Sequence, residues 1–388
     1  DSYRSKLLSA EKRLNIAILG TRGIPARYGG FETFAEELSK RLVARGHCVT
    51  VYCRRFFTDS KKGESTYEGV RQIFIPTLRH KYFETPLHSF FCFLDLFKQN
   101  FDVALLCNAA NSPFAWLVNL QRIPLAINVD GIERNRTKWN AIGKLWYRIG
   151  EIASTWFANI VIADAKVIAE YYLQTYRTQC KIIAYGADAK KIPPQETISE
   201  LDLIKDQYIL YVSRLEPENN ALGVIEAYAK SEVNVPLVIV GDAPYATAYK
   251  SSLKEYAESI CKLNPKQKVI FAGFRFGDAY HELQSNCMIY VQATEVGGTH
   301  PALIESMAHG NCVIANGTSE NHEVLADAGE LYSKNDFVQL AEKIKRLCVD
   351  KPQRELLGSK AKDRANRLYS WDAITDQYEN LFTELLKK

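Results

Sequence analysis

Residues 15–45 read NIAILGTRGIPARYGGFETFAEELSKRLVAR, and this stretch decides the fold class. Its first six residues, Asn15–Gly20, form a short apolar run that predicts a strand. A glycine-bearing loop follows, from Gly20 to Glu32. Then Phe34, Leu38, Leu42 and Val43 recur at helical spacing, and Gly46-His47 closes the helix. Strand, loop and helix in that order open a βαβ unit. The run Cys48–Cys53 supplies the next strand, and further runs at Arg71–Pro76, Val103–Cys107, Leu125–Val129, Ile160–Ala163 and Ile182–Ala184 continue the alternation. Such alternation predicts a mostly parallel sheet covered by helices.

The pattern restarts after a break. The stretch 190–204, KKIPPQETISELDLI, carries two prolines and several polar residues and reads as a linker. Strands are expected again at Ile209–Val212, Leu237–Val240, Val269–Ala272, Met288–Val291 and Cys312–Ala315. The expected class is therefore α/β, with two Rossmann-like doubly wound domains at 1–195 and 196–370. Ligands of such sheets bind beyond the C-terminal strand ends, so two facing domains would place a site in a cleft. In 371–388, Trp371, Ile374, Tyr378, Leu381, Phe382 and Leu385 share one helical face that must pack against something. That helix is expected to cross back to the first domain.

Composition narrows the function. The 388 residues are 47% hydrophobic and 24% charged, as in ordinary globular proteins. No apolar stretch approaches a membrane span, and the polar start Asp1–Lys12 is not expected to be a secretion signal. Nine cysteines without a C-x-x-C pair argue against a disulfide framework or a zinc site, and point to reduced core residues in a cytoplasmic protein. The net charge of +4 is unevenly spread. Residues 1–195 hold 28 Lys+Arg against 17 Asp+Glu, while 196–388 hold 21 against 28. A basic first half suggests an anionic partner. No helix-turn-helix, zinc-finger or RNA-binding signature accompanies it, so nucleic acid is not expected.

Several strand-tip segments could carry chemistry. Gly29-Gly30 sits just before the first helix, where free N–H groups favour an anion, and Arg22 and Arg27 lie in the same loop. The loop is neither a Walker loop nor a G-x-G-x-x-G turn. Asp130 follows the strand ending at Val129 and could orient a sugar hydroxyl or act as a base. Arg214 stands at a tip of the second half, where a guanidinium can hold a diphosphate in two-pronged fashion. Arg275 follows a further strand. The segment 295–310, EVGGTHPALIESMAHG, is the most informative. Glycines enter a helix there, so the amides of Gly297, Gly298, Thr299 and His300 can point at phosphate, and Glu305 can accept from the vicinal hydroxyls of a ribose.

Taken in order, these segments resemble the bacterial family 4 glycosyltransferases of the two-Rossmann-domain architecture called GT-B. The resemblance runs from Leu14 to the C-terminal helix. It points to the branch with glucosyl- and rhamnosyltransferases of exopolysaccharide and capsule assembly. That branch shows Arg-Gly-Ile/Leu-Pro-Ala-Arg-Tyr-Gly-Gly-Phe-Glu-Thr-Phe, matched at 22–34, and Asp-Gly with a nearby Lys-Trp, matched at Asp130, Gly131, Lys138 and Trp139. Pro-Glu-Asn-Asn at 217–220 and Gly-Gly-Thr-x-Pro at 297–301 complete the match.

In the wider family two glutamates eight positions apart frame the sugar donor. Glu305 matches the second, Gly297 stands at the first, and Glu295 is the expected stand-in. An Arg and a Lys five positions later hold the diphosphate. Arg214 matches the Arg, but Asn219 stands at the Lys position, so Arg275 or Arg22 is expected to supply the charge. A His usually sits where Asp130 now stands.

The resemblance implies a retaining hexosyltransferase with Asp130, Arg214 and Glu295 in its catalytic group and no protein nucleophile. No Asp-x-Asp triplet is present, so no metal is expected. UDP-glucose is the expected donor, with dTDP-rhamnose as the alternative and an inactive nucleotide-sugar-binding protein as the non-enzyme alternative. The acceptor is expected to be a growing or lipid-diphosphate-linked saccharide. Basic and aromatic residues at 80–97 and 138–157 suggest peripheral contact with an anionic membrane on its cytoplasmic side.

Overall fold

The computed structural model describes residues 13–26, 30–57, 63–78, 84–129, 131, 141–243, 247–295 and 300–387. The chain divides into two compact units, Asp1–Ala184 with Trp371–Lys388, and Tyr185–Ser370.

The first unit is built on strands β1 (Asn15–Leu19), β2 (Cys48–Arg54), β3 (Glu64–Tyr67), β4 (Val70–Ile75), β5 (Val103–Cys107), β6 (Leu125–Asn128), β7 (Ile160–Ala163) and β8 (Cys180–Ile182). Their spatial order is β3-β4-β2-β1-β5-β6-β7-β8. All neighbours are parallel except β3, which pairs antiparallel with β4. The central strands are buried along nearly their whole length, as expected for a parallel sheet covered on both faces. The covering helices are α1 (Gly30–Ala44), α2 (Glu84–Leu96), the short α3 (Trp116–Leu120), α4 (Ala141–Phe157) and α5 (Lys166–Tyr176). Helix α1 buries Phe34, Ala35, Leu38 and Leu42, positions that recur at helical spacing.

The second unit carries α6 (Glu196–Glu200), β9 (Ile209–Val212), α7 (Ala221–Ser231), β10 (Leu237–Val240), α8 (Thr247–Leu263), β11 (Val269–Gly273), α9 (Gly277–Asn286), β12 (Ile289–Gln292), α10 (Pro301–His309), β13 (Cys312–Asn316), α11 (Ser319–Leu325), β14 (Glu330–Tyr332), α12 (Phe337–Val349) and α13 (Lys351–Leu368). Its sheet is parallel throughout, in the order β11-β10-β9-β12-β13-β14. The strand order reverses between β1 and β5 in the first unit and between β9 and β12 in the second. Those two points are where a doubly wound sheet offers a crevice.

Gly20 and Gly241 make close approaches at strand tips. Gly20 has φ +90°, and a Cβ there would overlap the Cys107 carbonyl at the tip of β5. Gly241, at φ +139°, stands in the same relation to the Ser213 carbonyl. Any side chain at either position would push neighbouring strand tips apart.

Two expectations change. The stretch 190–204 is packed on the second unit rather than acting as a tether. Glu282 accepts from the N–H groups of Gln195, Thr197 and Ile198 at 2.6, 3.1 and 3.0 Å, and Asn286 Nδ2 donates to Ile192 O at 3.0 Å. The first unit accordingly ends at Ala184 rather than at 195. The second change is an unforeseen hairpin. Strand β3 is short and largely exposed, so no apolar alternation announces it. It is made by Glu68 and Gly69, both at positive φ, the pair a tight hairpin turn needs.

The last helix, α14 (Trp371–Leu386), packs on the first unit. Phe34 meets Trp371 and Tyr378 at ring-centroid distances of 6.2 and 5.3 Å, and Asn128 Nδ2 donates to Tyr378 Oη at 2.9 Å. Phe382 is completely buried there. Phe382→Ala should therefore cost the first unit about 3–5 kcal/mol. A calorimetric melt should show one transition moved down while a second, from Tyr185–Ser370, keeps its place.

Candidate active site

The reversal point of the second unit is shaped by the segments leaving β9 and β12. Arg214 leaves the tip of β9 with its side chain 40% exposed, and Glu216 is the nearest carboxylate at 3.9 Å. Its backbone is fixed from behind. Asn219 Nδ2 donates to the Arg214 carbonyl at 2.7 Å, and Tyr211 Oη donates to the Asn219 carbonyl at 2.6 Å. Asn219 is buried. The position where a lysine would carry charge thus carries a neutral brace.

Its neighbour Asn220, at φ +59°, reaches to the other tip. Its Nδ2 donates to Ala293 O at 2.9 Å and to Asn335 Oδ1 at 3.1 Å. Asn316 Nδ2 donates to the same two acceptors at 3.2 and 2.8 Å. Glu295 N donates to Glu218 O at 3.0 Å, which ties the two tips directly. Residues 217–220 are therefore a clasp between β9 and β12. Glu295 lies partly covered at the end of that clasp. Gly297, Gly298 and Thr299 lie outside the described residues, and His300 stands at the N-cap of α10 with Pro301 in its first turn.

Glu305 is partly covered within α10. Tyr280 on α9 donates to its Oε2 at 2.5 Å, and Gln284 Nε2 donates in turn to Tyr280 Oη at 3.0 Å. Burial pushes the Glu305 carboxyl up to about 7, against the opposing pull of the Tyr280 hydrogen bond. Tyr280 was missed in the sequence because it lies 25 residues before Glu305 in a different helix.

Two further cations near strand tips are engaged. Arg275 forms a two-pronged pair with Glu200 at 2.9 and 2.8 Å, and its Nε donates to Ala272 O. Its guanidinium does not stand open for a diphosphate, contrary to expectation. Lys250 pairs with Asp242 at 2.6 Å and holds that carboxyl below its usual range.

The first unit's reversal point is different in character. Glu32 Oε1 accepts from Arg22 N at 3.1 Å, and Glu36 Oε2 accepts from Ala26 N at 2.6 Å. Gln72 Nε2 donates to Ile24 O, and Arg54 N donates to Arg22 O at 2.8 Å. The loop amides of Arg22 and Ala26 are thus occupied by the carboxylates of α1. Burial raises the Glu32 carboxyl above its ordinary value. Arg54 is buried and paired with Glu84 and with Thr85 Oγ1. No motif marked it, and only its place at the end of β2 could have. His88 is buried beside Arg54, and both effects push it down to about 3. Gly30 opens α1 at the surface, while Gly29 and Asp130 lie outside the described residues.

Among the described residues no group of three or more His, Cys, Asp or Glu could hold a metal ion, and no helix is long and apolar enough to cross a membrane. All nine cysteines are free, five of them buried.

Comparison with known proteins adds to this geometry. The family model described as "Glycosyltransferase Family 4" matches residues 28–191, and "Glycosyl transferases group 1" matches residues 195–364. The chain is 26% identical to a Campylobacter jejuni N-acetylgalactosaminyltransferase acting on a diphospho-undecaprenol-linked sugar, over 54% of this chain and 56% of that protein. It is 23% identical to O-antigen chain mannosyltransferase C of Escherichia coli, covering 94% and 96% of the two chains. Similar solved structures include sucrose-phosphate synthase of Thermosynechococcus elongatus, with TM-score 0.79, 20% identity and 97% and 100% coverage. Anabaena HepE in complex with UDP-glucose gives TM-score 0.75, 17% identity and 96% and 100% coverage.

The Glu305 carboxyl titrates near 7 when folded, against an ordinary value of 4.5. Between those values the folded chain holds a proton that the unfolded chain has lost. Its contribution to stability is complete below about 4.5 and is lost as pH rises through about 7. Glu305→Gln should flatten that part of the melting-temperature profile. Tyr280→Phe should move it to higher pH, because the phenol that stabilises the carboxylate is gone.

Proposed function

The chain belongs to the glycosyltransferases and has the GT-B fold, and we propose that it transfers a hexose from UDP-glucose to a growing or lipid-linked saccharide of the cell envelope. In this reading transfer retains anomeric configuration and needs no metal ion. The observation that carries it is the state of Arg214. Its side chain is 40% exposed and its nearest carboxylate is 3.9 Å away, while Arg275 and Lys250 are held in ion pairs at 2.8 and 2.6 Å. An exposed guanidinium suits the developing charge of a leaving diphosphate. That assignment makes Arg214 the group opposing leaving-group charge and Glu305 the acceptor for ribose hydroxyls.

The choice of donor draws on Glu305, which could use both hydroxyls of a ribose but only one of a deoxyribose. HepE, of similar fold, was solved with UDP-glucose. The saccharide acceptor draws on relatives named for O-antigen chains and a diphospho-undecaprenol-linked sugar. Glu295 and Asp130 are assigned to the transferred sugar and the acceptor hydroxyl, with His300 and the 297–299 amides at the phosphates.

Calorimetric titration with UDP, dTDP, GDP and their glucose and rhamnose conjugates, with and without EDTA, tests the reading. UDP should bind with equal affinity in EDTA. Arg214→Ala should weaken it at least tenfold, the loss of about 1.5–3 kcal/mol expected for a charged hydrogen bond. Preference for dTDP-rhamnose would replace the donor, EDTA-sensitive binding would overturn metal independence, and binding of none would sink the assignment. The anomeric proton of the product, followed by NMR, decides retention.

A further inference from the structure

Helix α4 shows its large apolar side chains to solvent. The face it turns inward is made of Gly143, Gly150, Ala153 and Ser154, all buried. A Cβ on Gly150 would overlap the Ala109 carbonyl, so this face sits directly on the 109–114 segment. Trp146 closes the contact, with Nε1 donating to Ala110 O at 3.1 Å and its ring 6.3 Å from Phe114.

A flanking side carries Ile142, Leu145, Ile149 and Trp156, exposed by 70, 59, 42 and 75%. Steps of three, four and seven residues keep them on one stripe. An amphipathic helix ordinarily turns such a stripe to the core.

The exposed charges of α4 itself are of one sign. Lys144 and Arg148 are exposed next to the stripe. The helix has one acidic residue, Glu151, and that one is buried, accepting from Tyr171 Oη at 2.8 Å and Tyr176 Oη at 2.6 Å. Elsewhere in the same unit, α2, α3 and Phe97 just after α2 also expose apolar side chains, Phe91, Phe97, Trp116 and Leu120.

We propose that this face of the first unit docks on an anionic lipid bilayer. The stripe would enter the boundary between headgroups and acyl chains, with Trp156 at the interface and Lys144 and Arg148 at lipid phosphates. Apolar side chains flanked by cations are what such a surface binds. A second copy of the chain fits less well, because paired α4 stripes would bring cations against cations with no exposed acid on the helix to answer them.

The inference goes beyond the donor assignment, and its test contains no nucleotide sugar. Failure here and failure of UDP binding are therefore separate results. The whole chain is floated with vesicles of phosphatidylcholine alone and of phosphatidylcholine with phosphatidylglycerol. Binding should appear with the mixed vesicles and fall as salt is raised. The pair Leu145→Glu and Trp156→Glu should lower partitioning at least about tenfold, and the pair Lys144→Glu and Arg148→Glu by a similar factor. Val338→Glu, at an exposed apolar position of the second unit, should change nothing. All these positions are exposed, and melting curves matching the parent exclude misfolding. No binding to the mixed vesicles, or binding that the α4 variants leave unchanged, overturns the proposal. So does a concentration-dependent dimer in sedimentation that Leu145→Glu abolishes, which would make the face a contact between copies.

Discussion

A carbonyl at the end of a parallel strand has left the hydrogen-bonded ladder and still needs a donor. In both units that donor is an asparagine side chain. Asn111 Nδ2 serves Gly20 O and Cys107 O, joining the tips of β1 and β5. Asn219 serves Arg214 O, while Asn220 and Asn316 converge on Ala293 O. Asn321 Nδ2 then serves Asn316 O, so the clasp has its own support. An amide is suited to this because it donates and accepts at once and carries no charge to desolvate. The strand tips at each reversal point are thereby fixed relative to one another within the unit. The loops that leave them hold Arg214 and Glu295 in one place without using charged groups as struts.

That constraint explains which parts of the molecule could be read in the sequence. Apolar runs such as 103–107 and 237–240 are buried on both faces, and their composition reports it directly. The helical faces of α1 and α14 were legible for the same reason. The places of Arg214, after a strand, and of Glu305, inside a helix, were legible because such placement is local information. The clasp was not. Asn219 read only as the place of a missing lysine and Asn220 as part of a motif, whereas Ala293 and Asn335, the partners of Asn220, are 73 and 115 residues away in the chain. Tyr280 and Glu200 were equally hidden, and Glu200 is what removes Arg275 from the set of open cations. The linker reading of 190–204 rested on prolines and polarity. Glu282, whose carboxylate gathers three amides of that stretch, overrules both.

The same accounting of partners separates the two reversal points. In the first unit Glu32 and Glu36 turn back onto the loop after β1, and the buried Arg54 is answered by Glu84. With its amides partly filled by carboxylates, that tip would repel a second anion unless Glu32 stayed protonated, and burial favours that form. In the second unit the clasp is braced by the side-chain amides of Asn219 and Asn220, Glu305 is held in a setting that also favours its protonated form, and Arg214 is 40% exposed with Glu216 3.9 Å away. Both tips carry acids, but at the first they hold loop amides, whereas at the second the Arg214 side chain stays 40% exposed. The excess of Lys and Arg in residues 1–195 is not confined to the strand ends. Part of it lies on the solvent side of α4, where Lys144 and Arg148 flank exposed apolar side chains and the helix's acid has been withdrawn into the core. Net charge counted along a sequence says that an anion is near. Only the partners of each cation say which surface it meets.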